Sequence, residues 1–185
     1  ELDDKWMGFC QYRKFWSLKE HKNINLGSLS SQILKEIPKE FENYESILGE
    51  PMYVNQWRPM KFLKTALKIF LKRPILILDK RKRNLNFHFD WMHGENNLSK
   101  AINLLDEENR VSFSKFVNDE VSFNPHNMFI CKSKIKLQKY YEDLFPWLEK
   151  CEKIFGFKDL EGYGKTRIYG FLAERFMSYW FKKNT

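Results

Sequence analysis

Three groups of polar residues have the types and spacing to do chemistry. Asn124-Pro125-His126-Asn127 stands between Ser122-Phe123 and the apolar run Met128-Phe129-Ile130-Cys131. Proline fixes φ and pushes the residue before it out of the helical region, so this is a turn leading into a short buried strand. A turn has no need of a histidine between two asparagines. Their donors and acceptors at a strand edge suit a polyhydroxylated or phosphorylated ligand. The second group is His88-x-Asp90-x-x-His93-Gly94. Leu85, Phe87 and Phe89 alternate with Asn86, His88 and Asp90, which predicts a half-buried strand with His88 and Asp90 on its less apolar face. Asp90 then falls at a strand's carboxyl end, where α/β folds bind ligands. It is a candidate general base, or a ligand of a divalent metal together with the two imidazoles, although a full ligand set is not evident. A solvated strand edge is the plain alternative.

The third group lies on a helix expected over about Thr166 to Lys182. Gly170, Glu174 and Ser178 are spaced by four and share a face, with Arg167 a turn further back. A helical glycine costs about 1 kcal/mol and predicts that something packs closely there. Arg175 falls on the opposite side among Ile168, Phe171, Leu172 and Tyr179 and needs a partner. An internal pair with Glu174 and a contact to ligand both satisfy that need. Gln11-Tyr12-Arg13-Lys14, at the end of a predicted strand, offers cations to a diphosphate or is an ordinary solvated exit.

These groups must be positioned by the elements between them. Trp6 to Tyr12 reads as a mostly buried strand. Ser30 and Ser31 are candidate caps for a helix stopping before Pro38, and a second short helix is expected over Lys39 to Leu48. Helices are expected over Asn97 to Leu105 and Ser112 to Asn118. A long one carries Leu137, Tyr141, Leu144, Leu148, Cys151 and Phe155 through Pro146 to a Gly156 cap. Strands alternating with helices point to an α/β layer fold. At 185 residues the chain is expected to form one domain. It opens Glu1-Leu2-Asp3-Asp4, without an initiator methionine or a secretory leader, as a piece of a longer protein would.

Aromatic residues make up 17% of the chain, too many rings for a disordered polymer, and no apolar run reaches the ~20 residues that span a bilayer. Cys10, Cys131 and Cys151 sit in apolar patterns and read as buried reduced thiols. Between residues 60 and 83 lie nine Lys and Arg against Asp79 alone, which accounts for the whole net charge of +8. Lys61, Lys64, Lys68 and Lys72 share one helical face, followed by Arg73 and Pro74, with Leu63, Ala66, Leu67 and Phe70 opposite. Ile75 to Leu78 then reads as a short buried strand. A basic amphipathic helix of this kind docks on anionic lipid, and nucleic-acid phosphate would attract the same charge. No nucleic-acid reading motif accompanies it. A solvated face that binds nothing is the third option.

Four stretches together resemble one bacterial family. They are Trp6-Met-Gly-Phe-Cys-Gln-Tyr-Arg-Lys-Phe, Phe123-Asn-Pro-His-Asn-Met-Phe-Ile, Tyr140-Tyr-Glu-Asp-Leu-Phe-Pro-Trp-Leu and Arg167-Ile-Tyr-Gly-Phe-Leu-Ala-Glu-Arg. The family is a domain of unknown function (number 4422) linked to capsular polysaccharide and lipopolysaccharide synthesis and regarded as glycosyltransferases of the GT-A type. The resemblance implies an α/β GT-A-like fold with a mixed sheet flanked by helices. It covers residues 1–185 as one domain, carrying the basic helix at about 60–83 as an insertion and lacking the family's upstream nucleotide-binding part. It implies transfer of a sugar from a nucleotide-sugar donor to a lipid-linked surface glycan, by an enzyme lying on the inner face of the cell membrane. In that reading Asp90 is the base with His93 beside it, and Arg13 sits near the diphosphate. Tyr12, His88, Asn124, His126, Asn127, Arg167 and Arg175 contact donor or acceptor. Glu174 lines or braces the site. Lys61, Lys64, Lys68, Lys72 and Arg73 dock on lipid. A divalent metal, Mn or Mg, fits the GT-A type, but its Asp-x-Asp motif is not evident. The alternatives from other classes are a nucleic-acid-binding module and a catalytically silent membrane- or partner-binding fragment.

Overall fold

The protein, seen in a computed structural model, is described over residues 5–12, 14–18, 27, 29–56, 79–158 and 160–184. Arg13, the docking residues Lys61, Lys64, Lys68, Lys72 and Arg73, and the strand expected over 75–78 lie outside the described residues. The architecture is mixed α/β with helices predominating. Strand β1 (Met7–Gly8) and helix α1 (Leu29–Gln32) come first, then β2 (Ser46–Leu48) and β3 (Met52–Tyr53). Next are α2 (Leu85–His93), α3 (Asn97–Ile102), α4 (Glu107–Asp119), β4 (Ser122–Phe123) and β5 (Phe129–Cys131). The chain closes with α5 (Lys134–Phe155), α6 (Tyr163–Thr166) and α7 (Ile168–Lys183).

The core is built around α7, whose residues from Leu172 to Phe181 are all buried. A helix buried on all faces must be enclosed on every side, and here α4, α5 and the β4–β5 segment enclose it. Phe113 of α4 stacks on Tyr179 with ring centroids 4.7 Å apart, and Trp147 of α5 stacks on Phe176 at 5.0 Å. Two buried tryptophans find partners for their indole N–H groups. Trp147 Nε1 donates to the Ala101 carbonyl at 2.7 Å and Trp180 Nε1 donates to Asp143 Oδ2 at 2.6 Å. Burial pushes the Cys151 thiol up to about 12, as expected of an inert core thiol, and Cys131 is buried too. Cys10, expected to be buried, is exposed.

Local signals explain most helix bounds. Asp106 Oδ1 accepts the Asn109 amide at 3.0 Å and starts α4 five residues before the expected Ser112. Ser133 Oγ accepts the Lys136 amide at 3.2 Å and starts α5, which runs on through Pro146 as one helix and ends at Gly156 with φ 60°. Three expected elements fail. Ser30 and Ser31, expected as caps, lie inside α1, which ends at Gln32. The helix expected over Lys39 to Leu48 is a single 3-10 turn, Lys39–Phe41, followed by strand β2, because Ile47 and Leu48 find partners in β5. The strand expected over Leu85 to Asp90 is helix α2. Leu85, Phe89 and His93, four apart, are its buried residues, and Asn84 caps it by accepting the Phe87 amide at 2.9 Å. His88 and Asp90 therefore point to different sides of a helix and do not share a strand face.

Among the described residues both sheets are antiparallel, where a mixed sheet was expected. Strand β5 is central in the larger one, with Gly8 and Ile47 both opposite Ile130. Since β1 and β2 each run antiparallel to β5, they run parallel to one another. Their carboxyl ends thus converge on the start of β5, where the Asn124–Asn127 turn arrives. The Phe9 amide continues this pairing to the Phe129 carbonyl at 2.9 Å.

Candidate functional site

The turn before β5 is held in an unusual backbone conformation. His126 has φ 76° and Asn127 φ 51°, two successive left-handed residues, neither of them glycine. Such residues cost on the order of 1 kcal/mol each and persist only where surrounding contacts fix them. The contacts are present. The His126 amide donates to Glu174 Oε1 at 2.9 Å, and Asn127 Nδ2 donates to the Gly170 carbonyl at 3.0 Å. The Asn124 amide donates to Ser178 Oγ at 2.8 Å, and its side chain donates to the Gly49 carbonyl at 2.6 Å. The Gly170–Glu174–Ser178 face of α7, legible in the sequence, is the clamp on this turn. The close packing expected at Gly170 is not found: a side chain there would meet open space.

Behind the clamp lies a buried ion pair. Arg175, 1% exposed, donates from Nη1 to Glu174 Oε2 at 2.9 Å and to the Phe171 carbonyl at 3.3 Å. Its guanidinium carbon is 3.8 Å from the centre of the Phe123 ring. Nη2 donates at 3.2 Å to His88 Nδ1, which must be unprotonated to accept. Burial outweighs attraction for both partners, raising the Glu174 carboxyl and drawing Arg175 down to about 10. Glu174 and Arg175 brace the turn from inside.

His126 itself lines a groove of about 460 Å³ where β2 ends and the segment after β1 passes. Lys14, Trp16, Phe41, Glu50 and Met128 line it with His126. Burial, and then the Lys14 charge, hold the His126 imidazole below its usual range, so it is neutral at pH 7. A neutral imidazole at the mouth of a cleft accepts a proton or a hydroxyl hydrogen bond.

A model of the family described as Domain of unknown function (DUF4422) matches residues 1–185. The chain belongs to the DUF4422 family. No curated protein and no solved structure matches it.

The other candidates in this DUF4422 protein are dispersed. Asp90 is not among the described residues lining the groove; its carboxylate accepts the Asn96 amide at 3.0 Å, where α2 gives way to α3. His93 is 4% exposed, stacks on Phe171 with centroids 4.0 Å apart, and donates from Nδ1 to the Gly164 carbonyl at 3.1 Å. Gly164 is confined to glycine because any Cβ would come within 2.2 Å of the Met92 carbonyl. The strand pattern that put Asp90 and His93 beside a ligand is thus replaced by a helix that turns His93 into the core. Arg167 is on the surface, its guanidinium 5.2 Å from the Tyr163 ring, and Tyr12 is 81% exposed; neither lines the groove. Of the basic tract, Arg83 is 4% exposed and donates to the Asn55 carbonyl at 3.0 Å, so it belongs to the fold and not to a solvated face. The divalent metal does not fit what is described: among the described residues no group of three or more His, Cys, Asp or Glu side chains is arranged to hold one.

Sequence reasoning passed over Trp16 and Glu50 as site residues. Their available signal was Gly49-Glu50-Pro51, a turn directly after an apolar pair, and a tryptophan set among cations. Neither signal says that the two ends meet.

Half-buried His88 and buried His93 predict an acid-sensitive fold. Burial, reinforced by Arg175, lowers His88 to about 3 and His93 to about 4, against 6.5 when unfolded. The unfolded chain then binds more protons than the folded one between pH 6.5 and 4. Stability is complete above 6.5 and falls as pH falls, by on the order of 1.4 kcal/mol per pH unit for each histidine. Urea midpoints measured from pH 7.5 to 4.5 should drop steeply for the wild type and less steeply for His88→Gln. Equal slopes would contradict it.

Proposed function

We propose that this DUF4422 protein is a glycosyltransferase of GT-A type, moving a sugar from a nucleotide-sugar donor to a surface-glycan acceptor. The observation that carries the proposal is His126, held on a strained turn by a buried Glu174–Arg175 pair and lining a groove where β2 ends and the segment after β1 passes. Strain sustained by dedicated contacts belongs at working sites. The family resemblance supplies the reaction class. The acceptor hydroxyl passes its proton to the His126 imidazole as its oxygen bonds to the anomeric carbon. The bond from that carbon to the diphosphate breaks, and the electron pair leaves on the diphosphate. The base is thus His126 and not Asp90. The basic segment between residues 60 and 83 would hold the enzyme at an anionic membrane surface bearing lipid-linked acceptors. Among the described residues no helix is long and apolar enough to cross the membrane.

Nucleoside diphosphate release tests the proposal. The full-length protein, with the upstream nucleotide-binding part that the resemblance implies, is incubated with a panel of nucleotide sugars, with and without lipid-linked glycan acceptors. Release that requires an acceptor supports it, and no release from any donor by folded protein overturns it.

A further inference from the structure

The groove beside His126 has a lining that speaks to what it holds. Trp16 is fixed at both ends: its Nε1 donates to the Phe9 carbonyl at 3.2 Å, and its own carbonyl accepts the Leu34 amide at 2.7 Å. An indole fixed by its edge presents a flat face at little entropic cost. The volume, about 460 Å³, lies in the range of small-molecule clefts. Most of the lining is apolar, while its polar groups are few: Lys14, Ser17, Glu50 and His126. One lysine and one glutamate leave the described lining without net charge, so it has no cationic excess to select a phosphate or a sugar acid.

We infer that this groove is the acceptor subsite and takes an uncharged pyranose, its C–H face laid on Trp16 and its hydroxyls toward Glu50 and His126. The chemistry matches on both sides. A pyranose ring carries an apolar face of C–H bonds and a rim of hydroxyls. The groove pairs an aromatic plane with a carboxylate that accepts hydroxyl protons and an imidazole that accepts one more. Glu50 orients the ring through the hydroxyls that do not react, which leaves His126 the one that does. A purely hydrocarbon ligand would leave Glu50 and His126 without partners, and this disfavours a lipid chain as the occupant.

The inference rests on the glycosyltransferase reading, and the two can fail separately. Saturation-transfer NMR on the full chain would use methyl glucoside, methyl galactoside and methyl N-acetylglucosaminide. Glucuronate and octanol serve as the charged and hydrocarbon controls. At least one neutral glycoside should bind, with saturation strongest on its ring C–H protons. Trp16→Ala should weaken it about tenfold or more, and Trp16→Phe only about two- to threefold. Glu50→Gln should also weaken it, with unfolding midpoints recorded for every variant. Preference for glucuronate or octanol, no binding by any neutral glycoside, or unchanged binding by folded Trp16→Ala would overturn the subsite. Donor hydrolysis by water, read on the full-length wild type, separates the two claims: hydrolysis without binding of any neutral glycoside sinks the subsite and leaves the enzyme reading standing. Sugar binding without any donor turnover would sink the enzyme reading and leave the subsite standing.

Discussion

Arg175→Leu is expected to destabilise the protein by about 3–5 kcal/mol, the loss that follows when one member of a buried pair is removed and the other stays. Glu174 is 8% exposed and its carboxyl is already raised by burial against the attraction of Arg175. Without the guanidinium it takes up a proton or remains as an uncompensated charge. His88 Nδ1 loses its donor and the Phe123 ring its cation in the same step. In a chain of this length the midpoint of thermal unfolding should fall by on the order of 10 °C. Glu174→Gln should cost less, because an amide oxygen still accepts the His126 amide. Urea unfolding at pH 7.5 measures both variants. A wild-type midpoint for Arg175→Leu would show that the pair does not brace the core.

His126→Asn should have the opposite profile. Asparagine tolerates the left-handed conformation at least as well as histidine, and its amide can still donate to Glu174. Stability should change by less than about 0.5 kcal/mol. Removing a general base costs on the order of 10²–10⁴ in rate, so sugar transfer should fall about a hundredfold or more. Asp90→Asn, which keeps an oxygen for the Asn96 amide and lies outside the groove lining, should leave transfer close to wild type. The acid limb of kcat/KM should lie below pH 6.5, because burial and Lys14 hold the free imidazole under that value.

Much of the fold was legible where one signal acted alone. The periodic apolar residues of α5 survived Pro146, and the four-residue spacing of Gly170, Glu174 and Ser178 identified the face that clamps the turn. Legibility failed where two patterns were compatible with one segment. Leu85, Phe87 and Phe89 alternate like a strand, while Leu85, Phe89 and His93 repeat like a helix. The Asn84 cap and Gly94 decided for the helix, and with it Asp90 and His93 left the site. Likewise Lys39 to Leu48 looked helical until pairing with β5 claimed its second half, a choice made by tertiary contact.

The groove was the least legible part. His126 was visible as a histidine that its turn did not require, but Trp16 and Glu50 belong to segments 110 and 76 residues away from it. Only the antiparallel pairing of β1 and β2 with β5 brings their ends to the same place. Local periodicity carries no record of such convergence.

The central claim is that His126 serves sugar transfer from its clamped turn. The most direct measurement is acceptor-dependent nucleoside diphosphate release by full-length wild type, His126→Asn and Asp90→Asn side by side, each shown to be folded by its urea midpoint. The account predicts release by the wild type and Asp90→Asn, and a loss of about a hundredfold or more in His126→Asn. Wild-type release by His126→Asn, or its loss in Asp90→Asn alone, would contradict it.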